Sequence, residues 1–109
     1  MTKSEIKITL NDENKSIALD TPDGKQIILD DNEAAIILKD ENSNTITMNA
    51  DGISIESGKD IILKATGDVK VEGVNVEHKG SASFKAEGAT SELIGSASTK
   101  IEGGLVNIN

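Results

Sequence analysis

Eight short apolar pairs recur along this chain, and their spacing constrains its fold more than any other feature. They are Ile6 and Ile8, Ile17 and Leu19, Ile27 and Leu29, Ile36 and Leu38, Ile46 and Met48, Ile53 and Ile55, Ile61 and Leu63, and Val69 and Val71. Their first members lie 11, 10, 9, 10, 7, 8 and 8 residues apart. Apolar side chains at i and i+2 share one face of a strand, because successive Cβ atoms of extended backbone alternate sides. Between the pairs stand stretches rich in turn formers, such as Thr21–Gly24, Asp30–Glu33 and Asp40–Asn44. A period of 3.6 persists nowhere. The chain therefore reads as all-β, a β-helix of short strands with 8–10 residue repeats.

The repeat shrinks near residue 60. Residues 5–59 read as hairpin-like units of nine or ten residues, and residues 60–109 as narrower units of about eight, each ending near Gly67, Gly73, Gly80, Gly88, Gly95 or Gly103. Residues 1–4 read as a disordered start or an added stretch, with Met1 preceding a fragment of a longer chain. In residues 81–104, fifteen of 24 are Gly, Ala, Ser or Thr, which cannot fill a wide interior at native packing density. The larger apolar residues are fifteen Ile, seven Leu and five Val, with one Phe and no Trp or Tyr. Burial at about 25 cal/mol per Å² offsets little backbone ordering entropy when the side chains are this small. Three chains wound together resolve the difficulty, since inward side chains meet on a common axis and strand edges pair with neighbours. The expected architecture is thus an intertwined homotrimer, a triangular β-prism. Its axial residues are expected to be Ile27, Leu29, Ile36, Leu38, Ile61, Leu63, Val69, Val71 and Phe84, and Met48 reads as a further axial packing residue because it fits the same i, i+2 comb.

A net charge of −8, from 19 acidic and 11 basic residues, disfavours nucleic acid and anionic lipid headgroups as electrostatic partners. Three copies would carry −24, so any passage through a membrane must be mechanical. Without cysteine there is neither disulfide nor thiolate chemistry. The single imidazole, His78, stands between Glu77 and Lys79 and reads as a solvated turn residue rather than one third of a three-imidazole metal site. Asp40–Asn44 with Asp51 faintly matches a calcium loop. It has Thr45 where that loop needs glycine and no glutamate at the twelfth place, so it reads as a structural turn. Carboxylate pairs such as Asp30 and Asp31 lie in hydrophilic turns, with no cleft to shift one of them and no aromatic subsites for a sugar. No catalytic site, cofactor or metal is expected, and the chain reads as a non-enzyme.

The segments Gly24–Asp30, Thr45–Ile55, Lys59–Gly67, Asp68–Gly73 and the closing Ile101–Asn109 resemble the C-terminal β-helix of contractile-tail spike proteins: VgrG of type VI secretion and phage baseplate central spikes. The resemblance implies a membrane-piercing trimeric shaft in a contractile injection machine, with the tail tube or baseplate hub on its N-terminal side. It implies a PAAR-repeat tip protein bound at Leu105, Val106, Asn107, Ile108 and Asn109. It places the protein in the bacterial cytoplasm before firing and then outside the cell or in a target envelope, or in a virion tail. The His-X-His iron tip of some such spikes has no counterpart, because His78 lies well before the end. The alternative of a different class is a monomeric β-solenoid binding or adhesin module. That would need a regular outward array, and Thr45, Thr47, Thr66, Thr90 and Thr99 keep no constant spacing.

Overall fold

The computed structural model describes residues 5–109, so the reading of residues 1–4 lies outside it. By internal contacts the chain divides between Asp68 and Val69. The first unit holds six strands of five residues: β1 (Lys7–Asn11), β2 (Ser16–Asp20), β3 (Gln26–Asp30), β4 (Ala35–Lys39), β5 (Thr45–Asn49) and β6 (Gly52–Glu56). They form one antiparallel sheet in chain order, each strand hydrogen-bonded to the next. β-Branched residues alternating with polar ones favour such half-covered strands.

Turn chemistry sets the register. Asn11 and Asp30 end their strands by accepting hydrogen bonds through their side chains, from the Asn14 amide at 3.0 Å and the Glu33 amide at 3.1 Å. Each of these four-residue turns closes with a positive-φ residue, Lys15 or Ala34, both at 51°. The five-residue turns close differently. Thr21 and Asp40 donate their amides to the Lys25 and Asn44 carbonyls at 3.0 and 3.2 Å. In return their side chains accept from the Lys25 and Asn44 amides at 3.2 and 3.1 Å. Pro22 supplies the fixed φ for the first of these turns, and Gly24 takes a φ of 104° that side chains rarely adopt.

The sequence-derived pair at Ile6 and Ile8 is displaced by one step. The strand begins at Lys7, and it is Ile8 and Leu10 that face Leu19 and Ile17 across the ladder. Ile6, Ile8 and Leu10 alternate alike in sequence, and only the four-residue turn decides which two are paired.

Beyond Glu56 there is no strand among the described residues, although Ile61, Leu63, Val69 and Val71 carry the same spacing. The physical reason is that a strand needs a ladder partner, and none comes from the same chain. The backbone instead bends at 58–59, 66–67, 74–75, 81–82, 89–90, 96–97 and 104–105, every seven or eight residues. Glycine precedes several bends because the chain closes on itself there. A methyl group at Gly80 or Gly95 would overlap the carbonyl oxygen of Ser83 or Ser98.

Interwinding was expected along the whole chain. In residues 7–56 the strands instead find their partners within one chain, because turns of two, four or five residues, each with a positive-φ residue, fold each strand back on its predecessor.

Candidate self-association face

Cross-strand register sorts the sheet into two unlike faces. On one, Ile8, Leu19, Ile27, Leu38, Ile46 and Ile55 stand opposite one another as a continuous row. Beside it runs a second row of Leu10, Ile17, Leu29, Ile36, Met48 and Ile53. Neither row contains a polar atom other than the Met48 sulfur. The opposite face carries Lys7, Asp20, Gln26, Lys39, Thr45 and Glu56 in one row and mostly small residues in the next.

Among the described residues the side chains of the apolar face stay largely exposed. No described residue is fully buried, and the twelve side chains of the two rows range from half-buried Met48 to Leu10 at 74% exposure. Leu19, Ile27, Leu38, Ile46 and Ile55 of the first row line an open groove of about 640 Å³, together with Ile6, Ile61 and polar residues such as Asp20 and Lys39. Monomeric soluble proteins rarely expose contiguous apolar patches of more than a few hundred Å². A face like this is half of a core.

Ile27, Leu29, Ile36 and Leu38, expected on the axis, share this face and oppose one another as Ile27 with Leu38 and Leu29 with Ile36. Met48, also expected to pack on the axis, lies in the second row opposite Ile36 and Ile53, and the other seven residues of the rows were not singled out for the axis. Their i, i+2 spacing was visible, but which partner each would face depended on turn lengths. Leu63, Val69, Val71 and Phe84 lie in the bent segments, 78%, 58%, 65% and 63% exposed. Phe84 tilts against His78 with ring centroids 5.9 Å apart, and His78 is exposed. Leu105 lies in the last bend and Val106–Asn109 follow it, all exposed.

In the sheet, charge is kept to the polar face and the turns. Lys25 and Glu41, from neighbouring turns, pair at 3.0 Å. Their hydrogen bond and mutual charge raise the Lys25 pKa. Glu41 is held below the usual carboxylate range by its own backbone amide first and by Lys25 next. Asp40 is lowered too, because the Asn44 side chain and the Asn42 and Asn44 amides donate to its carboxylate. The calcium-like loop thus satisfies its own carboxylate. Among the described residues no three His, Cys, Asp or Glu side chains converge to hold a metal ion.

A family model described as the phage baseplate V C-terminal trimerisation domain matches residues 16–109. No curated protein matches the chain.

Proposed function

The chain belongs to that family of phage baseplate trimerisation domains, and from this premise we propose that three copies form the shaft of a membrane-piercing spike in a contractile injection machine. The observation that carries the reading is the twelve-residue apolar face on a chain with no buried described residue. Geometry favours three copies. A five-residue strand spans about 17 Å, and an equilateral triangle of that side sets each sheet about 5 Å from the axis, half the roughly 10 Å between packed sheets. Four such sheets would leave a hollow, and two would leave the ends of the sandwich open. The apolar rows, at the second and fourth places of each strand, then fill the interior, while the charged face meets water.

Residues 57–109 are built differently. With no partner strand in their own chain, their backbone groups pair with the two other copies, which is the interwound β-helix in its narrower form. Ladders running between chains resist shear and leave no hinge, so the work of the shaft is mechanical and no catalysis is involved. Leu105–Asn109 form the blunt end that receives a PAAR-type tip protein, with the tube or hub at the other end. The protein waits in the bacterial cytoplasm, or in a virion tail, until firing drives it into a target envelope. A monomeric solenoid module fits less well, because a solenoid closes its own core.

Light scattering after gel filtration, with an unheated SDS gel, tests the reading. A molar mass of three times 11.4 kDa, persisting in SDS until boiling, is expected. A stable species of 11.4 kDa would overturn it.

A further inference from the structure

We infer that this chain counts its length in interchangeable two-segment modules, so that a whole module can be removed or repeated and three copies still assemble. The inference rests on the trimeric reading, and two separate periods carry it.

In the sheet, turn geometry returns every 19 residues with different side chains in the same roles. Asn11 and Asp30 accept the same type of amide hydrogen bond. Lys15 and Ala34 have the same φ, and Gly24 and Ser43 are both positive. Thr21 and Asp40 close their turns by the same reciprocal pair of bonds. The third unit is shorter, its turn reduced to Ala50 and Asp51.

In residues 69–109 the period is 15 and is written in the sequence as well. Lys70, Glu72 and Gly73 return as Lys85, Glu87 and Gly88, then as Lys100, Glu102 and Gly103. Gly80–Ser83 returns residue for residue as Gly95–Ser98. The backbone follows, with bends at 66–67, 81–82 and 96–97 and an interleaved set at 74–75, 89–90 and 104–105. Lys85 pairs with Glu87 and Lys100 with Glu102.

Two segments make the natural unit. In the sheet, one antiparallel strand reverses the chain and leaves it at the opposite end, and only the second returns it. In the bent region, segments of seven and eight residues alternate, so only a pair restores the phase. Strands stack about 4.8 Å apart, so a two-segment module in each of three chains adds two levels, about 10 Å of shaft.

Four variants of the full chain test this. Deleting residues 84–98 joins Ser83 to Thr99, as Ser98 is joined to it now. Deleting residues 21–39 joins Asp20 to Asp40, setting Leu19 opposite Ile46 and Ile17 opposite Met48. It also keeps the hydrogen bonds of Asn44 with Ser57 and Gly58. Both are expected to give SDS-resistant trimers whose longest dimension, by small-angle X-ray scattering, is shorter by about 10 Å. Duplicating residues 84–98 is expected to lengthen it by about the same amount. Deleting residues 21–30 removes less chain but only one strand and one turn, and is expected to lose the SDS-resistant trimer. The inference is overturned if the parent is a trimer while both whole-module deletions fail to assemble. Unchanged trimer lengths, or a half-module deletion that assembles as well as the whole ones, overturn it equally. A monomeric parent would remove the trimeric reading itself, and this inference with it.

Discussion

Ala34 closes its turn with φ at 51°, and Gly24 holds φ at 104° where a Cβ would stand 3.3 Å from that of Glu41. The left-handed region costs an L-residue about 1–2 kcal/mol, and glycine's greater freedom in the unfolded chain returns part of that. Ala34→Gly is therefore expected to stabilise each chain by up to about 1 kcal/mol, and Gly24→Ala to destabilise it by about 1–2 kcal/mol, read from denaturant midpoints. The turn charges give a pH dependence of defined sign. Asp40 and Glu41 titrate below their ordinary range, so their contribution is full above that range and is lost as pH falls through the lowered values. Lys25, titrating above its ordinary range, contributes fully below it and loses that contribution as pH rises through the raised value. Asp40→Asn is expected to lower stability at neutral pH and flatten its decline below about pH 4, measured as thermal midpoint against pH. A parallel decline in both proteins would remove Asp40 from the account.

The sheet puts its chemistry on one face, so substitutions there should divide by parity rather than by position along the chain. Leu38→Asp places three carboxylates at one level of the proposed interior. It forfeits about 1.5–3 kcal/mol of burial per chain and adds a desolvation cost of several kcal/mol per ion. Assembly is expected to fail, as it is for Leu63→Asp among the bent segments. Thr47→Asp, on the opposite face beside Ile37, is expected to leave the trimer intact. Gel filtration with light scattering separates these outcomes, and a normal, heat-stable trimer from Leu38→Asp would remove that face from the interior.

For the whole molecule, stability and association become one quantity. With no buried core among the described residues, the burial that stabilises the fold must come from association, so folding and trimerisation are linked by mass action. The thermal midpoint is expected to rise with protein concentration, which calorimetry over a hundredfold range would reveal. A midpoint independent of concentration in a reversible transition would mean that the single chain holds its own fold. A net charge of −8 per chain opposes non-specific adhesion between assembled copies.

Much of this was determined by the sequence alone. Alternating aliphatic residues dictated strands, the turn formers their shortness, and the scarcity of large side chains a core shared between chains. Ile27, Leu29, Ile36 and Leu38 could be assigned to one face because parity within a strand is local. Register between strands is not local. Whether Ile8 or Ile6 meets Leu19 depends on the count of residues in a turn and on the left-handed Lys15 that ends it. The tertiary structure also decided that residues 7–56 pair within their own chain while residues 57–109 carry the same apolar spacing without a ladder. The reason is turn geometry. Turns of two, four or five residues, each with a positive-φ residue (Lys15, Gly24, Ala34, Ser43 or Gly52), turn a strand back on its predecessor, whereas a single bend every seven or eight residues carries the chain onward and leaves its hydrogen bonds to be made elsewhere.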